Sequence, residues 1–300
     1  MKEAEVSVVI PTKDEEKNIG KCLSGVYSQN VKFNFEVIVI DSGSRDNTVE
    51  IAKRFPVRLI HIKPDEFHHG RTRNLGAKLA KGKILVYLNA DACPADRFWL
   101  RNLLAPLEDG KVAAVYGKQI PPEGTNPINR FRIERLYGNE RLVKDINCIQ
   151  DYQCFFFSTV NCAIKKEVWE QFHFPEDVPT AEDSTFARRI LIAGFSIIYE
   201  PSAVVFHAHN YTVKGIFKRY FDTGAIWRKY NLLRHDELPM EGIRYILAEM
   251  RFLFQKGFYA WIPYALVHDM AKAIGLFLGR HSDFFPSSIK RALSAQGKVW

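Results

Sequence analysis

No two of the five cysteines in this 300-residue chain (Cys22, Cys93, Cys148, Cys154, Cys162) form a Cys-x-x-Cys pair, and their number is odd. That pattern argues against a disulfide framework and against a zinc site, and it fits a reducing compartment. A secretory leader is missing as well, because Met1–Glu5 runs straight into an apolar strand without a cleavage site. The longest uncharged apolar run, Gly257–Val267, is too short to cross a bilayer. Together these absences point to a cytoplasmic protein. No glycine-rich, lysine-bearing loop follows the first strand, which counts against a nucleotidyltransferase. Repeats, low-complexity tracts and nucleic-acid motifs are absent too, so no nucleic acid partner is expected.

What is present is enough apolar sequence, 47% hydrophobic against 25% charged, to bury the core of one large or two small domains. The charge is uneven. Residues 1–210 hold 28 Lys and Arg against 27 Asp and Glu, whereas residues 211–300 hold 14 against 7. Seventeen of the 39 aromatic residues also fall in that last segment. The shift marks a boundary between a domain spanning 1–210 and a basic, aromatic-rich helical segment spanning 211–300.

Within the first region, Val6–Ile10, Phe35–Ile40, Val57–Ile62 and Ile84–Leu88 read as strands buried on both faces. Asn18–Ser28, a stretch capped by Asp46 or Asn47 and running to Arg54, and Thr72–Lys81 read as the helices between them. Apolar strands alternating with helices indicate an α/β fold, a mainly parallel sheet covered on both sides. Further along, Ala113–Tyr116 is a short strand, Asn129–Asn139 and Asp183–Ala193 are helices, and Phe195–Tyr199 and Ala203–Phe206 are two more strands. Beyond Tyr211, Leu238–Lys256 and Trp261–Leu278 are helical, with breaks at Gly257 and Pro263.

Ligand-type side chains collect after these strands, at the edge where open α/β sheets bind ligands. Pro11, Thr12 and Glu15 follow the first strand, and Asp41 leads into Ser42-Gly43-Ser44, a loop whose backbone a ligand can approach closely. Phe67–Gly76 sets His68, His69, Arg71 and Arg73 around a helix start, which suits a diphosphate. Asp91 follows the fourth strand, where a carboxylate suits a divalent metal. Glu182 and Asp183 open a helix, and His207 and His209 alternate at a strand end, so that one faces the ligand edge and the other faces away. Taken alone, the Asp41 loop is as well read as an ordinary turn, and the Pro11–Glu16 turn, Asp183 and the histidines are better read as turn, cap and surface side chains. Their concentration on one sheet edge is harder to explain that way.

In order and approximate spacing, Val8-Val9-Ile10-Pro11-Thr12, Val39–Thr48, Thr72-Arg73-Asn74-Leu75-Gly76, the Asp91 strand and Ala181-Glu182-Asp183 resemble inverting family-2 glycosyltransferases over residues 4–210. His69-Gly70-Arg71-Thr72-Arg73-Asn74 and Phe206-His207-Ala208-His209-Asn210-Tyr211 look most like the rhamnosyltransferase-type branch. The resemblance implies a GT-A fold that binds a nucleoside diphosphate sugar across the strand tips. It implies transfer of the sugar, with inversion, to a hydroxyl on a glycan or lipid-linked acceptor. By the same resemblance Pro11, Thr12 and Glu15 line the nucleoside pocket, Asp41 bonds the base, and Arg73 lies near the base or diphosphate. Asp91 binds a Mg or Mn ion, and Asp183, beside Glu182, is the general base.

The family's usual Asp-x-Asp is Asn89-Ala90-Asp91 here, and the amide keeps an acceptor oxygen without the charge. Asn89 then contacts ribose or sugar, and Asp91 carries the metal with help from His207 or His209. The missing acid leaves open a catalytically inactive nucleotide-sugar binder or scaffold of the same fold, against which the retained Asp91, Asp183 and histidine pair argue. In the last ninety residues Tyr245, Phe252, Phe254, Phe258, Tyr259, Trp261 and Tyr264 lie among Arg244, Arg251 and Lys256. Such a segment suits an anionic membrane surface, here the inner face of the cell membrane, or equally a packed subdomain or homodimer interface.

Overall fold

The computed structural model describes residues 4–149, 152–178, 180–230 and 238–297. β1 (Val6–Thr12), α1 (Ile19–Tyr27), β2 (Phe35–Asp41), α2 (Thr48–Ala52), β3 (Arg58–His61), α3 (His69–Leu79) and β4 (Ile84–Leu88) alternate as the patterning predicts. The four strands are parallel, in the order β3-β2-β1-β4, with Val6 beside both Phe35 and Ile84. The apolar residues of β1, β2 and β4 are mostly buried because α1 and α3 cover the sheet, whereas β3, expected to be buried on both faces, is the edge strand and keeps Leu59 and Ile60 half-buried; a Cβ on Gly76 of α3 would lie 2.3 Å from Val9 Cγ1, so only glycine allows that approach. The helix α3 starts three residues earlier than predicted. His68 Nδ1 accepts the backbone N–H groups of Gly70 and Arg71 and so caps the first turn.

The next elements are β5 (Cys93–Pro94), α4 (Trp99–Leu104), β6 (Val112–Ile120), α5 (Pro127–Leu136), β7 (Leu142–Lys144), β8 (Asn161–Lys165), α6 (Lys166–Phe172), α7 (Glu182–Ile192) and β9 (Ser196–Phe206). They extend the sheet through β8-β6-β9-β5, with β7 on β9. β8 runs antiparallel to β4 and β6, making the sheet mixed. Neither β7 nor β8 is predicted from sequence. β8 opens on a buried polar residue, Asn161, whose amide accepts from Trp99 Nε1 (2.8 Å) and donates to the Ala203 carbonyl (2.9 Å), which hides the strand from a hydrophobic pattern.

Two further expectations are corrected. The two strands expected on either side of Glu200–Ser202 are one, β9, whose pairing with β6 jumps from Gly117↔Glu200 to Lys118↔Val204. Pro201 cannot donate to a ladder, and the bulge absorbs it. Ser202 N and Oγ donate to Glu200 Oε1 at 3.1 and 2.6 Å, and Arg141 pairs with the same carboxylate. The cysteine spacing argued against a disulfide, yet Cys148 and Cys154 form one across a six-residue separation, leaving Cys22, Cys93 and Cys162 as thiols.

The described chain divides into two compact units. The first, residues up to Ile120 with Tyr137–Glu176 and Glu182–His207, contains the sheet. The second takes in Pro121–Leu136, Asp177–Ala181 and the chain from Ala208. It is helical: α5 is joined by α8 (Val213–Tyr230), α9 (Leu238–Gln255), α10 (Ile262–Arg280) and α11 (Ser287–Leu293). α8 and α10 meet backbone to backbone, since a Cβ on Gly279 would sit 2.0 Å from the Phe221 carbonyl oxygen and one on Gly275 2.4 Å from that of Phe217. Ile128, Leu253 and Ala265 form a small apolar core with Phe252, Phe258 and Trp261 against it. The outer face of α10 leaves Leu266, Val267, Met270, Ile274 and Phe277 exposed. No described helix is long and apolar enough to cross a membrane.

Candidate functional site

β1 and β2 end side by side, with Thr12 opposite Asp41. The Thr12 carbonyl accepts Ser42 N (3.0 Å) and Ser42 Oγ (3.1 Å). Asp41 is buried; its carboxylate accepts the backbone N–H groups of Gly43 and Ser44, both at 3.2 Å, and faces His61 Nδ1 at 3.3 Å. The loops after the two strands are then laced together. Ser44 Oγ accepts Asp14 N (2.9 Å), Thr48 Oγ1 accepts Glu15 N (2.6 Å), Asp46 Oδ2 accepts Glu16 N (3.0 Å), and Asp14 Oδ1 accepts Arg45 N (2.8 Å). Pro11–Glu16 and Ser42–Thr48 therefore form one rim. Burial raises the Glu15 carboxyl above its ordinary value, against the Asn18 amide that donates to it, and the negative charges of Asp91 and Asp46 raise it further.

After β4 the Asn89 carbonyl accepts Ala92 N (2.9 Å), turning the chain so that β5 pairs antiparallel with β9, Cys93 opposite Phe206. That register sets Asp91 beside His207, with Asp91 Oδ2 3.4 Å from His207 Nε2. On the other side of the ring, Nδ1 lies 2.8 Å from Gln119 Oε1. Gln119 Nε2 donates to Tyr137 Oη (2.5 Å) and Ser158 Oγ (2.9 Å), so its oxygen is the end that faces the imidazole. His207 Nδ1 is then a donor, which leaves Nε2 as the ring atom that faces Asp91.

β9 ends at Phe206, so both histidines lie in the connector 207–212, where strand alternation no longer applies. One histidine was expected to face away. Instead, donor atoms of Asp91, His207 and His209 lie within 4.8 Å of one another, a carboxylate with two imidazoles that could hold a divalent ion. Gln119, which orients this group, carries no sequence signal of its own; it is a polar residue inside a strand and meets His207 only through the β6–β9 register.

Arg73 and Glu182 form a second group. Arg73, in α3, donates to Glu182 Oε1 at 2.9 Å and to the His69 carbonyl at 3.1 Å, and both side chains of the ion pair are almost wholly buried. Burial alone would raise the Glu182 carboxyl, but Arg73 and then His69 outweigh it and hold it below its ordinary value. The pair ties α3 to the first turn of α7, where Asp183 is half-exposed and its Oδ1 accepts Ser184 N at 2.8 Å. Ala181, just before, adopts φ +59°, a strained setting for a residue with a Cβ. Asn74 steadies the approach to α7: its amide donates to the Phe174 carbonyl and Glu176 Oε1 (2.9 Å each) and accepts from Trp169 Nε1 (2.9 Å) and Phe174 N (3.0 Å).

The sequence profile of the family described as Glycosyl transferase family 2 matches residues 7–172. An O-antigen chain rhamnosyltransferase of Salmonella typhimurium is 33% identical over 302 residues, covering 98% of this chain and 96% of its own. One from Salmonella anatum is 36% identical over 271 residues, covering 88% and 86%. Among solved structures, a mannosyltransferase of Pyrobaculum calidifontis in complex with GDP-Man and Mn2+ covers 100% of this chain and 83% of its own, with TM-score 0.58 and 21% identity. Staphylococcus aureus TarS in complex with UDP-GlcNAc covers 94% and 93%, with TM-score 0.54 and 16% identity. These structural likenesses carry the fold, which is GT-A. By the profile match and the two long alignments, the chain is a glycosyltransferase belonging to family 2.

Proposed function

We propose that this protein transfers a sugar, with inversion, from a nucleoside diphosphate sugar to a hydroxyl of a glycan or lipid-linked acceptor, in the manner of a rhamnosyltransferase of O-antigen or related polysaccharide synthesis. The observation that carries this reading is the convergence of Asp91, His207 and His209 after β4, the strand next to β1, near enough to Glu15 to act on its carboxyl, in a family-2 chain. Relatives named as O-antigen rhamnosyltransferases that align over nearly the whole chain support the sugar class, and the Mn2+ in the mannosyltransferase complex agrees with use of a divalent ion.

Asp91, His207 and His209 fit a divalent ion: one carboxylate and two imidazoles, of which that of His207 has its Nδ1 held by Gln119 so that Nε2 is the ligand atom. Imidazole ligands favour Mn over Mg. Such an ion would offset the charge gathering on the leaving diphosphate. Pro11, Thr12, Glu15 and Asp41 hold the nucleoside, and Asn89 meets the ribose or sugar. Asp183 takes the proton from the acceptor hydroxyl while that oxygen attacks the anomeric carbon; the bond to the diphosphate breaks on the opposite face and the nucleoside diphosphate departs. Arg73 and Glu182, which neutralise each other, are positioning residues for Asp183. The exposed apolar face of α10 in a segment rich in Lys and Arg supports peripheral contact with the inner face of the cell membrane.

A panel of UDP-, GDP- and dTDP-sugars with Mn or Mg and saccharide acceptors tests this directly. Turnover of one donor is expected, falling roughly 10²–10⁴-fold in Asp183→Asn at unchanged donor affinity. Neither binding nor nucleotide release with any donor ends the reading, and loss of donor binding in the variant removes Asp183 from the role of base.

A further inference from the structure

A cleft of about 690 Å3 lies wholly within the helical unit, a size inside the roughly 300–1,000 Å3 range of small-molecule sites. Phe252, Phe258 and Trp261 form its aromatic wall. These rings pack on Ile128, Leu253 and Ala265, so they are anchored on one side while remaining only half-buried. Opposite in chemistry are Asn126, Asn210 and the Arg130–Glu134 ion pair, whose atoms are 3.6 Å apart.

We infer that this cleft is the acceptor subsite and that its occupant is an uncharged saccharide. Half-buried rings offer flat faces to the C–H surface of a pyranose. Side-chain amides together with an Arg–Glu pair supply donors and acceptors in the mixture that vicinal hydroxyls require. The charge balance disfavours a diphosphate: Glu134 already answers Arg130, and among the described residues of the lining Lys256 is the one further cation. A purely apolar ligand would strand these polar groups.

Connectivity links the cleft to the transfer site. Asn210 is three residues beyond His207 in the same connector, and its Oδ1 accepts Asn126 N at 3.1 Å, so the connector forms part of the cleft wall. Whatever the arrangement of the two units, three residues of chain reach no further than about 11 Å. Tyr211, the next residue, is flanked by the guanidinium groups of Arg132 and Arg219 at 5.7 and 5.3 Å from its ring, which holds the connector's far end.

The assignment rests on the proposed sugar transfer, and the test separates the two. With the active donor and a panel of benzyl glycosides as acceptors, Trp261→Ala should raise the acceptor KM tenfold or more while the donor KM moves less than twofold. Trp261→Phe, which keeps a ring, should restore most of the acceptor KM. Equal shifts in both KM values, or an acceptor KM within twofold of wild type in Trp261→Ala, overturn the assignment. If Trp261→Ala does not fold, Arg130→Ala with Glu134→Ala is read by the same split. If no donor turns over, the proposed function fails, and saturation-transfer NMR of the same glycosides against the nucleotide-free chain decides the cleft by itself. Glycoside signals lost in Trp261→Ala support it; no glycoside signal, or displacement by inorganic phosphate, overturns it.

Discussion

The two units bury charge in different ways. In the sheet unit Arg73 and Glu182 face each other at 2.9 Å, one cation for one anion. The helical unit buries Glu249, His268, Asp269 and Lys272 as deeply, but there two acids share one lysine. Lys272 Nζ binds Asp269 Oδ1 at 2.7 Å, and the Glu249 carboxyl lies beside that carboxylate. Burial, and a proton shared with Asp269, push Glu249 up to about 8; burial and the charge of Lys272 push His268 down to about 4. Glu249 thus keeps its proton up to about 8, and His268 stays uncharged down to about 4. A matched pair fixes geometry across the working pH range, whereas a proton-balanced cluster ties its helices to pH.

The sharpest way to break that contrast is to unpair the first group. Arg73→Ala leaves Glu182 buried without its cation and should destabilise the protein by about 3–5 kcal/mol in urea unfolding. Adding Glu182→Gln should recover part of the loss; an unchanged midpoint in the single variant would show that the pair holds nothing in place.

A smaller effect is expected at the second polar network of the sheet unit. Gln119→Ala removes the acceptor for His207 Nδ1 and should weaken Mn binding roughly 10–100-fold. Manganese titration of nucleotide release reads this. Unaltered affinity would mean that Gln119 does not set the ring.

The effect at the helical cluster is read as a slope with pH, and its sign follows from proton binding. Folded Glu249 titrates near 8 against an ordinary 4.5, so the folded state holds the proton more tightly and stability falls as pH rises from about 4.5 to 8. His268 runs the other way: its folded value near 4 lies below 6.5, so stability falls as pH drops from about 6.5 to 4. Glu249→Gln should remove the first slope and keep the second in thermal melts between pH 4 and 9. If the wild-type and Glu249→Gln melting curves shift identically with pH, the cluster is not proton-balanced.

The parallel half of the sheet was legible because four mainly apolar runs were each closed by a turn or a helix cap. The later half was not. β8 begins with a polar Asn161 whose partners, Trp99 and Ala203, lie far away in sequence, and β9 contains Pro201 and Ser202, which read as a break until pairing with β6 reveals a bulge. The same limit applies to the site. Asp91, Asp183 and the histidines could be singled out as chemical types near strand ends, but their orientation depends on contacts that no local pattern contains. Gln119 is 88 residues from His207, and Arg73 is 109 from Glu182. The disulfide was missed for a related reason, since counting cysteines says nothing of how a short loop folds back.

The two-residue pairing of β5 with β9 has a consequence for the order in which the molecule matures. Asp91 leaves the ribosome with the first four strands, whereas His207 follows 116 residues later. At roughly 5–20 residues per second, the interval is on the order of ten seconds. In that window the parallel strands can already assemble, while the ligand edge lacks its second half. On the proposed reading, a nascent chain presents the Thr12–Asp41 rim early but gains the histidine side of the Asp91 group only when β9 has closed onto β5, so full stabilisation by the donor and its ion marks completed synthesis of the sheet unit.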